Sequence, residues 1–162
     1  MPIKIIIAPH EISKQSIDNL VKRIELPYTK WSDFDEKNDA DKKVLIIDTI
    51  GQLAKIYRYA KFAYVGGGMR KGGLHNTLEP AAFGIPVVIG RYFSKFQEAV
   101  LLEKKGGIYS VQSPKKFKKI YLALMNDVKL TERMGKINKG YIQSGKGASQ
   151  HIIEIIKMHS IE

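Results

Sequence analysis

The sequence is 162 residues long, lacks cysteine, and carries 27 lysines and arginines against 16 acidic residues, a formal charge of +11. Hydrophobic residues make up 44% of it, which is too many for a disordered tail, and the missing cysteine excludes a disulfide scaffold and a cysteine-ligated metal site. No apolar run approaches the roughly 20 residues that span a bilayer, and no signal-peptide pattern opens the sequence. Composition therefore predicts one soluble, cytoplasmic domain over residues 1–162.

Short apolar strand patterns alternate with longer helical patterns along the chain. The strand patterns are rich in β-branched residues and nearly continuous in apolarity, which is typical of strands covered on both faces. This alternation predicts an α/β fold, a Rossmann-like parallel sheet flanked by helices. The predicted strands are Ile3–Ala8, Val44–Asp48, Phe62–Gly66, Pro86–Gly90 and Ile108–Val111. The predicted helices are Ser13–Arg23, Gly51–Tyr59, His75–Phe83, Phe96–Lys105 and Pro114–Asn126.

Helix caps and irregular segments complete this pattern. Ser13 is a candidate N-cap of the first helix, and Asn76 or Thr77 of the third. The segment 26–43 is compatible with one more strand followed by an exposed polar loop. From residue 127 onward the sequence is helical, and its glycines predict breaks. The predicted breaks are Gly135, Gly140, Gly145 and Gly147, and the last predicted helix, His151–Met158, is expected to pack on another domain.

The positive charge is concentrated in the last third of the sequence. Residues 101–162 carry 12 basic and 5 acidic side chains, and the densest cluster, Lys115, Lys116, Lys118 and Lys119, begins a predicted helix. Because 22 of the cations are lysines and no aromatic stacking platform accompanies them, general attraction to an anionic surface is favoured over base-specific contacts. Three interpretations stay open: a solvated helix face, attraction to an anionic membrane surface, and nucleic-acid binding.

The segment after the third predicted strand carries the strongest sign of a ligand site. In an open parallel sheet, ligands bind outside the carboxyl ends of the strands. Five glycines fall within Gly66–Gly73 and a helical pattern follows, so backbone N–H groups could surround a phosphate. Neither a Walker loop nor a dinucleotide fingerprint fits, because Gly-Lys-Ser/Thr and GxGxxG with its acidic partner are both missing. A purely structural turn stays the alternative.

Glu79 lies at the expected start of the helix after this loop. A carboxylate there interacts favourably with the helix N-terminus, so a simple helix-end charge is one interpretation. The other is that it accepts two hydrogen bonds from the vicinal diol of a ribose while the loop amides hold the attached phosphate. Pro80 is tolerated only near a helix start, which agrees with both interpretations.

Several motifs in chain order carry a family resemblance over residues 3–112. Residues 79–87 spell Glu-Pro-Ala-Ala-x-Gly-x-Pro-Val, which resembles the nucleotide-binding half of GT-B glycosyltransferases. Asp-Thr-Ile-Gly-x-Leu at 48–53, paired with His-Asn-x-Leu-Glu-Pro at 75–80, is more specific. With Ala8–Glu11, Tyr64–Gly68 and Lys95–Ala99, these motifs resemble the Kdo (3-deoxy-D-manno-octulosonic acid) transferases of lipopolysaccharide synthesis.

This resemblance implies a fold and a set of donor contacts. The chain would be the carboxyl-terminal, donor-binding domain of a GT-B fold, with CMP-Kdo as donor substrate and neither cofactor nor metal. Ile50 and Gly51 would contact the cytosine, Glu79 would hold the ribose, and residues 75–77 would face the phosphate. The implied donor-binding residues are Pro9, His10, Ile50, Gly51, Gly67, Gly68, Met69, Gly73, His75, Asn76, Thr77 and Glu79.

Some positions depart from the pattern of the family. Many members have Pro-Arg-His where this sequence has Pro9-His10, so an Arg is absent, and His10 or Arg70 is the candidate replacement beside the phosphate or donor carboxylate. Leu74 replaces a glycine, and Arg91 stands where Gly-Pro is usual. Neither the change at Leu74 nor the change at Arg91 removes a group to which we assign chemistry.

The four histidines form no motif for metal binding. His10 and His75 are each interpreted either as ligand contacts or as turn-stabilising residues, and His151 and His159 as structural or exposed. No HExxH or comparable spacing is present, so no catalytic metal is expected.

The resemblance also implies functions for parts outside this chain. A second GT-B domain would supply the acceptor site, the catalytic carboxylate base and the membrane-anchoring elements. No catalytic residue is therefore assigned here, and the isolated domain is expected to bind CMP without transferring sugar. The whole enzyme would carry out inverting transfer of Kdo from CMP-Kdo to a lipid A precursor. This reaction would take place at the anionic cytoplasmic face of the bacterial inner membrane.

Two other functions stay open. One is a GT-B transferase or a related epimerase that uses a UDP-sugar, which would keep the glycine loop and Glu79 but change the base contacts near Ile50. The other is a non-catalytic basic module that binds nucleic acid, whose affinity would depend strongly on salt and not on Glu79.

Overall fold

A computed structural model describes residues 4–145 and 148–159 and divides the chain into two compact units. Unit 1 lies within Met1–Ile56 and unit 2 within Tyr57–Glu162. Each unit has one three-stranded sheet in which every ladder is parallel. This confirms the predicted α/β class with parallel sheets flanked by helices. That residues 1–162 act as one donor-binding domain stays a prediction.

Unit 1 is built on three short strands. Its elements are β1 (Ile5–Ile7), α1 (Lys14–Val21), β2 (Tyr28–Lys30), β3 (Val44–Ile46) and α2 (Leu53–Ile56). β3 lies between β1 and β2, so the segment 26–43 does contribute a strand. Ser13 caps α1 as predicted, since its Oγ accepts a hydrogen bond from Ser16 N at 3.3 Å.

The core of unit 1 packs α1 on the sheet. Ile17 of α1 is buried with Val44 and Ile46 of β3. The prediction that each strand is covered on both faces is wrong for β1, whose Ile5 and Ile6 are 42% and 39% exposed. β1 is an edge strand of this sheet, and short edge strands have fewer neighbours to cover them.

Unit 2 holds the larger core. Its elements are β4 (Ala63–Val65), α3 (Leu78–Ala82), β5 (Val87–Gly90), α4 (Gln97–Lys105), β6 (Ile108–Val111), α5 (Pro114–Asn126), α6 (Val128–Ser144) and α7 (Ala148–His159). β5 is the central strand and all four of its residues are buried. Helices α4, α5 and α6 contribute the buried Leu102, Leu124 and Met134 to its two apolar clusters.

Two predicted helices are shorter in the structure. The helix predicted at Gly51–Tyr59 is shorter: α2 covers Leu53–Ile56, and a 3-10 turn follows over Tyr57–Tyr59. Gly51 has φ +84°, which is not a helical conformation, so the helix begins after it. The helix predicted at His75–Phe83 begins only at Leu78 and has five residues.

Asn138 ties α6 to two loops of unit 2. Its side chain is fully buried, and Nδ2 donates to the carbonyl oxygens of Ile85 at 2.7 Å and Gly107 at 2.9 Å. These residues precede β5 and β6, so one amide group satisfies the backbone at the amino ends of two neighbouring strands. A Cβ at Gly107 would lie 2.1 Å from Asn138 Oδ1, which explains why glycine stands there.

The predicted helix breaks at Gly135 and Gly140 are wrong, because α6 runs through both without interruption. Gly135 is buried against the carbonyl of Gly84, where a Cβ would lie 2.1 Å from the oxygen. The glycine therefore allows a close approach of loop to helix rather than a break. α6 ends at Ser144 with Gly145 as its C-cap, as predicted, and Gly147 lies outside the described residues.

The same contacts predict opposite effects of alanine at two positions of one helix. Gly140→Ala should raise the free energy of unfolding by about 0.5–1 kcal/mol, because nothing lies within 4 Å of its Cβ position and alanine has the higher helix propensity. Gly135→Ala should lower it, because the new methyl group meets Gly84 O. Urea unfolding of both variants measures the difference, and equal effects would contradict this account of α6.

The lysine cluster of α5 lies on the surface. Lys115, Lys116, Lys118 and Lys119 are all exposed. On the same helix Phe117 packs against Tyr64, with ring centroids 5.5 Å apart, so this ring already has an aromatic partner. Helix α7 covers the predicted His151–Met158, and its packing on another domain stays a prediction. None of the helices in the described residues is long and apolar enough to cross a membrane.

Candidate functional site

In unit 2, the glycine loop after β4 folds back on itself. Gly67 has φ +86°, and its Cβ position is 2.0 Å from Gly73 O, so only glycine fits between the two arms of the loop. The carbonyl of Gly66 accepts a hydrogen bond from His75 N at 3.1 Å, and that of Gly68 accepts one from Tyr92 N at 2.8 Å. The loop is thus held at both ends.

The end of β5 closes against this loop. A Cβ at Gly90 would lie 2.2 Å from Gly68 C and 2.4 Å from Met69 N. Backbone therefore touches backbone at the carboxyl ends of β4 and β5, where parallel sheets place their ligands. Met69 is 38% exposed, and Gly72 has open space around its Cβ position.

Glu79 is exposed in the first turn of α3, as predicted. One carboxylate oxygen, Oε1, accepts a hydrogen bond from Asn76 Nδ2 at 3.1 Å. Asn76 is held in turn, since its Oδ1 accepts a hydrogen bond from Leu78 N at 2.9 Å. This chain of two contacts fixes the direction of the carboxylate.

The helix predicted to begin at His75 begins at Leu78, so residues 75–77 precede it, and their contact with the phosphate stays a prediction. The Asn76 side chain donates to Glu79 Oε1 and accepts from Leu78 N. Thr77 is 1% exposed, and its hydroxyl has no partner in the part of the chain that the structure describes. The N–H that an N-cap hydroxyl usually meets at the third helical position is missing because Pro80 stands there.

Tyr57 lies close to Glu79, a neighbour that the motifs do not indicate. Its half-buried ring packs on Phe83, with centroids 5.8 Å apart. Burial and then the negative charge of Glu79 raise the pKa of Tyr57 to about 12. The phenol therefore stays protonated at neutral pH.

The remaining predicted residues lie in unit 1, at the carboxyl ends of β1 and β3. Pro9, His10, Ile50 and Gly51 line one cavity of about 220 Å³. The other lining residues are Ala8, Ile12, Ile47, Thr49 and Leu53, so the walls are largely apolar. The structure thus brings together the four predicted residues of unit 1, and separately those of the unit 2 loop.

Asp48 fixes the backbone that leads into this cavity. Its carboxylate accepts hydrogen bonds from Ser32 N at 3.0 Å and from Ser32 Oγ at 2.6 Å. Burial acts to raise the pKa of Asp48, but the two Ser32 hydrogen bonds outweigh it and hold the pKa below its usual range. Asp48 is therefore ionised at neutral pH and anchors the end of β3.

A larger cavity of about 350 Å³ lies in unit 2 but contains none of the predicted residues. It opens at the amino end of β6, beside Glu103, Tyr109 and Arg133, away from the carboxyl ends of the strands. Within the described ranges, no three histidine, aspartate or glutamate side chains group as metal ligands.

The chain is similar in sequence to several known proteins, although no family model matches it. A 3-deoxy-D-manno-octulosonic acid transferase from Haemophilus influenzae is 28% identical over 143 residues, which are 87% of this chain and 33% of that protein. The transferase of the same name from Aquifex aeolicus is 30% identical over 145 residues, 87% of this chain and 40% of that protein. The chain thus spans well under half the length of these curated relatives.

A solved structure shows the same fold. The C-terminal CMP-Kdo binding domain of WaaA from Acinetobacter baumannii matches with a TM-score of 0.73 and 23% identity. The match covers 85% of this chain and 72% of that domain.

Proposed function

We propose that this chain, which is similar in sequence to 3-deoxy-D-manno-octulosonic acid (Kdo) transferases, is the donor-binding domain of such an enzyme. In this role it binds the CMP moiety of CMP-Kdo. The whole enzyme transfers Kdo to a lipid A precursor by inverting, metal-independent chemistry. The catalytic base is not among the residues that we assign to this chain.

The observation that carries this proposal is the oriented carboxylate of Glu79 beside the folded glycine loop. Asn76 occupies one side of Oε1, while the side chain of Glu79 stays exposed. A carboxylate that is held in this way can accept hydrogen bonds from the two adjacent hydroxyls of a ribose. Because the hydrogen-bonding group is charged and pre-oriented, little conformational freedom is lost on binding.

The phosphate of CMP would lie at the loop of unit 2. Gly67, Gly68 and Gly73 allow close backbone approach, and His75 follows directly. Because α3 has only five residues, its helix dipole is small. The attraction for the phosphate would therefore come mainly from local N–H groups and cationic side chains. His10 and Arg70 stay the candidates for the family's missing Arg.

The base and the acceptor side are proposed on different grounds. The cytosine would lie in the apolar cavity of unit 1 at Ile50 and Gly51. The acceptor, a lipid A precursor at the cytoplasmic face of the inner membrane, would be bound by other parts of the enzyme. The exposed lysines of α5 would contribute attraction to that anionic surface.

Calorimetric titration of this chain with CMP tests the proposal. Glu79→Ala should weaken CMP binding at least about 100-fold, because two hydrogen bonds to a charged group are lost at about 1.5–3 kcal/mol each. Glu132→Ala removes an exposed carboxylate of α6 in the same unit and is the matched control, expected to bind CMP as the native chain does. Equal affinities of the Glu79 and Glu132 variants would refute the ribose assignment.

The same titration separates the competing functions. UMP or UDP binding more tightly than CMP would favour a UDP-sugar enzyme. Salt-sensitive binding to oligonucleotides that ignores Glu79→Ala would favour a nucleic-acid module.

A further inference from the structure

We propose that the Thr49 hydroxyl hydrogen-bonds the pyrimidine base and is a determinant of base affinity, an inference that rests on the proposed function. Thr49 lines the cavity of unit 1, between Asp48, which is anchored by Ser32, and the exposed Ile50. It adds a side-chain contact to a subsite otherwise built from backbone and apolar groups.

The hydroxyl of Thr49 has no partner of its own. Its Oγ1 is buried and makes no hydrogen bond within residues 4–145 and 148–159. Buried polar groups in folded proteins are nearly always paired, and an unpaired one costs free energy. An unpaired hydroxyl in the wall of a cavity is therefore a group that a ligand can satisfy.

The proposal requires rotation about the Cα–Cβ bond of Thr49, which would turn the buried hydroxyl toward the cavity. Threonine side chains occupy staggered rotamers that exchange the positions of the hydroxyl and the methyl group. A hydroxyl both donates and accepts, which suits the mixed donors and acceptors along the edge of a pyrimidine.

The neighbouring residues match a flat, apolar ring. Ile50 exposes 87% of its surface although it is a large apolar residue. Gly51, with φ +84°, turns the chain immediately after it. An isoleucine held in water at the rim of an apolar cavity gains burial when a planar base enters below it.

The experiment compares Thr49→Val and Thr49→Ser in the full chain, with CMP and ribose 5-phosphate as probes. Valine keeps the shape and removes the hydroxyl, so CMP affinity should fall roughly five-fold while ribose 5-phosphate, which lacks the base, binds unchanged. Serine keeps the hydroxyl and should retain CMP affinity within a factor of about two. The unfolding midpoint of the valine variant should stay equal or rise, because a buried unpaired hydroxyl is removed.

Three outcomes would overturn the assignment. If Thr49→Val binds CMP as tightly as the native chain does, the hydroxyl has no role in binding the base. An equal loss for CMP and ribose 5-phosphate assigns the effect to general damage of the site. A native chain that binds ribose 5-phosphate as tightly as CMP shows that no base subsite contributes. Failure of the native chain to bind either probe would instead refute the proposed function, and this inference with it.

Discussion

Asn138→Ala is expected to lower the free energy of unfolding by about 3–5 kcal/mol. The change removes both hydrogen bonds from Nδ2. The buried carbonyl of Ile85 loses its donor, at about 1–3 kcal/mol, while Gly107 O keeps only the longer bond from Val87 N at 3.4 Å. The lost side-chain volume leaves a cavity at a position with no exposure, which adds to this cost. Urea unfolding of the full chain, followed by circular dichroism, measures the effect.

Two variants separate the hydrogen bonds from the volume. Asn138→Asp keeps the shape but replaces the NH2 donor with an oxygen that faces two carbonyls, so it should be at least as destabilising as alanine. Asn126→Ala, at an exposed asparagine of α5, should change the stability by less than about 0.5 kcal/mol. A stable Asp variant would show that packing alone holds this position.

Gly67→Ala is expected to disrupt the glycine loop and to weaken CMP binding more than tenfold. Alanine at φ +86° costs about 1–2 kcal/mol from backbone conformation alone. Its methyl group would also lie 2.0 Å from Gly73 O and 3.1 Å from His75 Cδ2, so one arm of the loop must move. The affinity for CMP should fall more than tenfold in calorimetric titration, and the unfolding midpoint should fall as well.

Gly72 supplies a control inside the same loop. Nothing lies within 4 Å of its Cβ position and its φ is not in the left-handed region, so Gly72→Ala should fold and bind CMP as the native chain does. Gly90→Ala should resemble Gly67→Ala, because its methyl group would lie 2.2 Å from Gly68 C. Similar behaviour of the variants at positions 67 and 72 would contradict the geometric explanation.

The order of strands and helices was predictable because apolar periodicity follows burial directly. β5 and the helix over Pro114–Asn126 lie where the patterns place them. Glycine was a poor predictor of helix ends. Gly135 suggests a helix break in the sequence, but in the structure it allows α6 to pack closely against Gly84, a contact that only the fold creates. The exposure of β1 likewise depends on which strands become edges, and apolarity alone does not encode that.

The position of Glu79 in the fold was predictable from a local pattern. Glu79 followed by Pro80 indicates a carboxylate in a first helical turn, and the structure places it there. The direction of the Asn76 amide and the neighbouring Tyr57 depend on contacts between segments, which no local pattern reports. Thr49 belongs to the Asp-Thr-Ile-Gly-x-Leu motif, but only the structure shows that its hydroxyl is buried without a partner among the described residues.

The boundary between the two units near Ile56 is also an electrostatic boundary. Residues 1–56 carry nine basic and nine acidic side chains, whereas residues 57–162 carry eighteen and seven, so the whole formal charge of +11 belongs to unit 2. Under the proposed function, the net charge that attracts an anionic nucleotide therefore lies in unit 2, and added salt weakens this attraction by shortening the Debye length, about 8 Å at physiological ionic strength. The base contacts proposed for the cavity of unit 1 would be short-range and weakly sensitive to salt, so ionic strength would change the rate of capture much more than the discrimination between bases.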